Sequence, residues 1–142
     1  MSIYPTQVEH IGIAVTDLEA AEAKYTALLG QAPYKREAVD SEGVMTSFFK
    51  VGSTKIELLE ATRPDSAIAK YIEKRGEGMH HIAYAVDDIH AAMEQYREAG
   101  FRILNEAPKR GADNKLVCFI HPKDNHGVLT ELCQEITGVQ ST

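Results

Sequence analysis

HIGIAVTDLEAA at residues 10–21 recurs as HIAYAVDDIHAA at residues 81–92, at a constant offset of 71. His, Ile, Ala, Val, Asp and the Ala pair keep their places. The correspondence runs on to Tyr25 and Tyr96, and each copy then meets a glycine, Gly30 and Gly100. Two copies in 142 residues point to duplication of a module of about half the chain, far too few units for a solenoid.

Periodicity supplies the elements. Residues 8–15 alternate, with Ile11, Ile13 and Val15 on one face and His10, Gly12 and Ala14 on the other. Thr16 followed by Glu19 predicts a capping box. Leu18, Ala21, Tyr25, Leu28 and Leu29 form the apolar stripe of the helix that follows, with Gly30 as its stop. Strands are expected around 32–39, 44–51 and 54–60, the last two joined by a hairpin at Gly52-Ser53. The second copy repeats the βαβββ order: strand 80–86, helix 88–99, then strands near 102–107, 115–121 and 127–134. Pro64-Asp65-Ser66 begins a connector helix with Ile68, Ala69 and Ile72 on its apolar face, ended by Gly76-Glu77-Gly78. The expected organisation is one domain over residues 1–142, with module one at about 7–62, the connector at about 65–76 and module two at about 78–135.

A chain of this size buries a core without staples. Fifteen basic against 21 acidic residues give a net charge of −6, the opposite of a duplex-binding protein, so nucleic acid is excluded as a partner. The acidity lies in residues 1–100, with 10 basic and 16 acidic side chains; residues 101–142 hold 5 and 5. No apolar run approaches the roughly 20 residues of a membrane span, and the N-terminus does not read as an export signal. Cys118 and Cys133 form no disulfide framework. The expectation is a cytoplasmic protein with reduced thiols and no membrane partner.

The repeat also selects the chemistry. His10 shares its face with Gly12 and Ala14, and His81 with Ala83 and Ala85, so each imidazole looks across small residues. Glu57 and Glu131 each sit in the middle of an apolar strand at the end of their module. A carboxylate there is costly unless paired or bound to metal. Two histidines and two glutamates around a pseudo-twofold suit divalent Co, Mn, Ni, Zn, Fe or Mg, against the alternative of structural histidines and solvated glutamates. Glu60 falls on the face opposite Glu57 and reads as solvated; His80 points away from the face of His81. His90 reads as exposed, and His121 and His126 flank a turn and read as surface residues, with contact to a ligand as the alternative. Cys133 shares the face of Glu131 and reads as a packed thiol, with a place in the pocket lining as the alternative.

With these residues assembled, the chain resembles the vicinal oxygen chelate (glyoxalase/bleomycin resistance/dioxygenase) superfamily, and within it the methylmalonyl-CoA epimerase family. The segments VEHIGIAVTDLEAA, SEGV, GSTKIELLEA, DSAIAKYIEKRGEGMHHIAYAVDDI and GADNKLVCFIHPKDNHGVLTEL carry the resemblance over roughly residues 7–134. It implies an α+β fold in which two tandem βαβββ modules form one curved mixed sheet enclosing a divalent ion, often cobalt, held by His10, Glu57, His81 and Glu131. It also implies a homodimer that acts on an acyl-CoA in propionate metabolism, interconverting (R)- and (S)-methylmalonyl-CoA through an enolate.

Inversion at C2 needs two acid/base groups on opposite faces. Glu131 is one of them in the family. Some relatives carry the other as a glutamate two residues after the valine of Glu-Gly-Val, where this chain has Thr46. Glu57, related to Glu131 by the pseudo-twofold, is therefore expected to serve the second face. Lys123, Lys115 and Arg110 are the expected contacts for the CoA phosphates, with surface solubility as their alternative role.

Three rival functions use the same scaffold. A glyoxalase I-like lyase shares the four ligands, an extradiol dioxygenase needs two His and one Glu on iron, and a drug-sequestering protein lines its crevice with aromatics, often Trp. This chain has no Trp and fills all four ligand positions.

Overall fold

The computed structural model describes residues 4–136. Contacts group them into two compact units: His10–His80, and residues up to Glu9 together with those from His81 onward. Strand β1, Gln7–Ala14, begins in the latter and continues in the former.

In the unit of residues 10–80, helix α1 (Leu18–Leu29) follows β1, and β2 (Lys35–Val39), β3 (Val44–Val51) and β4 (Thr54–Ala61) follow the helix. The strand order is β2-β3-β4-β1; β1 and β4 run parallel and the other pairs antiparallel. Gly52, at φ 61°, makes the tight β3–β4 turn, and Gly30, at φ 72°, closes α1 in the left-handed region that suits glycine. Helix α1 covers one face of these strands, where Val15, Leu18, Phe49 and Leu58 are buried with Tyr25 and Leu29 against them. The connector helix α2 (Ala67–Arg75) is capped by Ser66, as its sequence suggests. It buries Ile68 against Ala14, Val44 and Leu59 at the end of the opposite face.

The capping residue of α1 is Asp17 and not Thr16. The Asp17 carboxylate accepts from the Ala20 amide at 3.2 Å, while Thr16 donates its amide and hydroxyl to Glu77 at 2.8 and 3.0 Å. Leu28 leaves the expected stripe: residues 18, 21, 25 and 29 share one side of the helix, and Leu28 is 72% exposed. Glu60 is not solvated either; its carboxylate accepts from the Leu18 amide at 2.6 Å and caps the helix from β4.

In the other unit, β5 (Gly78–Ala85, from His81) leads to α3 (Ile89–Glu98), β6 (Lys109–Gly111), β7 (Lys115–Ile120) and β8 (Thr130–Glu135). The strand order β5-β8-β7-β6 mirrors the first unit, with β5 and β8 parallel. Asp88 caps α3, as Asp17 caps α1 at the same offset, and the Ile89 amide is held by Gln134 at 2.7 Å where Leu18 has Glu60. Helix α3 buries Ile89, Ala92 and Met93 against Cys118, Ile120 and Leu132.

The expected strand at 102–107 shrinks to one bridge, Ile103 to Ile120. The Phe119 amide, which a continuing ladder would need, is taken by the Asn105 side chain at 2.9 Å; the edge strand forms only after Pro108, as β6. The last strand also starts later than residue 127, because His126, Gly127 and the preceding short 3-10 turn complete the loop. The fold is α+β, each unit setting mixed strands against a helix. Among the described residues no helix is long and apolar enough to cross a membrane.

Candidate active site

Each unit buries one histidine–glutamate pair on the strand face away from its helix. In the first, register places Gly12 beside Glu57 on the parallel β1–β4 ladder, with Phe48 opposite Glu57 on β3. His10 lies two residues before Gly12 on the same face, and its Nδ1 stands 3.3 Å from Glu57 Oε2. In the second, Ala83 sits beside Glu131 and Phe119 lies opposite it. His81 Nε2 stands 3.2 Å from Glu131 Oε1.

Gly12 and Ala83, and likewise Phe48 and Phe119, are related by the offset of 71; Glu57 and Glu131 differ by 74, so three extra residues lie in the turn between Phe119 and Glu131. The two pairs are therefore equivalent by register and not by sequence spacing alone. All four side chains are buried. Small residues beside each imidazole leave room for it to lie along the sheet, and the Phe119 ring packs edge-on to His81 at 6.1 Å.

The neighbouring histidine is set apart. Tyr71 packs edge-on to His80 at 5.0 Å and donates its hydroxyl to the Met79 carbonyl at 2.7 Å. Burial pulls the His80 pKa down to about 4, which keeps the imidazole neutral. Cys118 and Cys133 are both free thiols. Cys118 belongs to the α3 core, where burial, with Glu131 adding to it, pushes its pKa up to about 12; the thiol stays protonated. Cys133 packs with Ala83 and Val117, as expected, on the face of Glu131.

The three basic residues separate. Lys123 is exposed in the short 3-10 turn Pro122–Asn125, which His121 caps by accepting from the Lys123 amide at 3.0 Å. That turn is tied down by Asp124, whose carboxylate accepts from the Arg102 amide and guanidinium and is held below the usual carboxylate range by them. Arg110 is exposed on β6 and reaches the Asn114 side chain at 3.2 Å. Lys115 is buried at the start of β7, 3.9 Å from the equally buried Glu9. Its charge is met within the unit. Glu9 escaped notice because the conspicuous histidine follows it directly. The offset held the signal: Lys115 stands where the first copy has Val44, and Glu9 where the second has His80.

A family model described as the Glyoxalase/Bleomycin resistance protein/Dioxygenase superfamily matches residues 9–119. The chain belongs to that superfamily. Among curated relatives, an ethylmalonyl-CoA/methylmalonyl-CoA epimerase of Cereibacter sphaeroides is 45% identical over 90% of this chain and 97% of that protein. The human mitochondrial methylmalonyl-CoA epimerase is 43% identical over 90% of this chain and 73% of its own length. Among solved structures, a Streptomyces coelicolor methylmalonyl-CoA epimerase variant in complex with 2-nitronate-propionyl-CoA superimposes with a TM-score of 0.90. It is 39% identical and covers 94% of this chain and 100% of that one. Epimerases are isomerases, and this member of the superfamily is an enzyme of that class.

The donor chemistry of the two pairs fits a divalent ion. Neutral imidazole nitrogen and carboxylate oxygen are ligands that Co, Mn, Ni and Zn accept. In each pair they already lie 3.2–3.3 Å apart, a spacing two groups keep when they share a proton or flank a cation.

Proposed function

We propose that this protein interconverts (R)- and (S)-methylmalonyl-CoA by taking the C2 proton from one face and returning one to the other. The observation that supports this reading above all is the pair of register-equivalent, buried His–Glu couples, in a chain whose relatives carry that name. In this reading His10, Glu57, His81 and Glu131 hold one divalent ion, cobalt by preference. When bound, the ion supplies Lewis-acid polarisation of the thioester carbonyl and carboxylate that flank C2.

The chain's own residues do the rest. A carboxylate held beside C2 acts as a general base through its position. Glu131 takes the C2 proton onto a carboxylate oxygen from one face, and Glu57 serves the opposite face. His10 and His81 orient those two carboxylates through the 3.3 and 3.2 Å contacts. Phe48 and Phe119, opposite the two glutamates, keep water away from them. Lys123 and Arg110, both exposed in the locally neutral C-terminal third, attract the CoA phosphates. The assignment extends to a cytoplasmic homodimer serving propionate metabolism.

Solvent deuterium incorporation at C2 tests the assignment. Wild-type protein is expected to exchange the proton of both stereoisomers. Glu57→Gln protein that still binds metal is expected to exchange only one of them, and full exchange from both removes Glu57 from the mechanism. Turnover of the methylglyoxal–glutathione hemithioacetal with no exchange on methylmalonyl-CoA makes the protein a glyoxalase I-like lyase instead.

A further inference from the structure

Among the described residues, Thr46 Oγ1 is a buried side-chain oxygen without a hydrogen-bond partner. Thr46 is 1% exposed. It lies on β3 opposite Leu59 of β4 and Glu37 of β2, two residues before Phe48, which itself faces Glu57. Alternation therefore puts Thr46 on the face of His10 and Glu57, away from α1, and makes it the diagonal neighbour of Glu57, with Cα atoms about 7–8 Å apart.

Burying an unpaired hydroxyl is unfavourable, so such groups call for an explanation. The other half of the chain shows that the fold does not ask for it. The residue related to Thr46 by the offset of 71 is Val117, which has the same branched shape without the oxygen and packs with Ala83, Cys133 and Phe119. Where shape alone is needed this scaffold uses valine; in the half with Glu57 it keeps a donor.

We propose that Thr46 Oγ1 donates a hydrogen bond to an oxygen of the bound acyl-CoA, at the carbonyl–carboxylate unit that flanks C2. The inference rests on the epimerase reading and deepens it. The reacting end of that substrate offers only acceptor oxygens, and Glu57 beside it is itself an acceptor when ionised, so a donor at Thr46 supplies what the carboxylate cannot. A threonine hydroxyl is far too weak an acid to exchange protons with C2. Its part is to orient the substrate and to favour oxygen at that spot over a hydrocarbon group. The β-branch restricts χ1 and so presets the donor's direction.

The test compares wild type, Thr46→Val and Thr46→Ser by titration with 2-nitronate-propionyl-CoA, by thermal melting without ligand, and by steady-state kinetics on methylmalonyl-CoA. Thr46→Val is expected to melt at or above the wild-type temperature, to bind the analogue about tenfold more weakly, and to lose kcat/KM by a similar factor. Thr46→Ser restores both. Equal affinity of folded Thr46→Val and wild type overturns the assignment, as does a Thr46→Ser protein no better than Thr46→Val. If the valine variant does not fold, Thr46→Ala against Thr46→Ser makes the same comparison. Wild-type protein that neither binds the analogue nor exchanges the C2 proton overturns the epimerase reading, and this inference with it.

Discussion

Under the 71-residue offset, Phe48 opposite Glu57 becomes Phe119 opposite Glu131, and Asp17 capping α1 becomes Asp88 capping α3. Val44, however, becomes Lys115, and Thr46 becomes Val117. The positions that set backbone geometry and the His–Glu couples have stayed alike. Those one or two residues further along the same strand faces have diverged. In the first unit the end of the His10 face is sealed by α2 through Ile68, and its residues are apolar. In the second unit the corresponding place holds the ion pair of Glu9 with Lys115. A duplicated scaffold thus keeps its His–Glu geometry in duplicate while the surrounding side chains become specialised.

The strongest test of that equivalence is to remove one imidazole at a time. His10→Ala and His81→Ala are each expected to lower affinity for a divalent ion by more than about tenfold and by similar factors, read as metal retained after dialysis. A large loss from one half with none from the other would break the symmetry.

Next in size is Lys115→Met, which removes the cation from a position that the first unit fills with valine and strands the buried Glu9 carboxylate. Denaturant unfolding is expected to show a loss of about 3–5 kcal/mol, most of it recovered when Glu9→Gln is added. An unchanged midpoint would mean that Glu9 is satisfied by its other contacts.

The smallest effect concerns the caps. Glu60 holds the Leu18 amide and Gln134 holds the Ile89 amide, so a neutral amide already does this job in one half. Glu60→Gln is expected to stay within about 0.5 kcal/mol of wild type, and Glu60→Ala to lose about 1 kcal/mol. A large effect of the glutamine would show that charge matters at that cap.

Much of this was legible in the chain because a repeat doubles every weak signal. A lone strand histidine says little, but His10 and His81 in matching frames with small residues beside them marked two matching faces. Glu57 and Glu131 emerged from apolar strands in the same way, although three residues inserted in the turn hid their equivalence until the register was known. What failed was local. Thr16 with Glu19 satisfied the capping-box pattern, but Glu77, distant in sequence, claimed Thr16 and left Asp17 as the cap. Residues 102–107 had the composition of a strand, and the Asn105 side chain broke the ladder by taking a backbone donor. The pairing of Lys115 with Glu9 was not legible either, since burial and a partner depend on tertiary structure.

The division of β1 bears on how the protein is made. The internal contacts of residues 10–80 join segments that leave the ribosome close together, so that unit can assemble as soon as it has been synthesised. Its counterpart is built from two pieces of chain separated by those 71 residues, and its first strand segment must wait for the residues from His81 onward before it has company. Closing so long a loop slows a step, and an already condensed intervening unit shortens the span to be searched. Translation from the N-terminus thus gives the duplicated protein an order of assembly: first the contiguous copy, then the one interrupted by it.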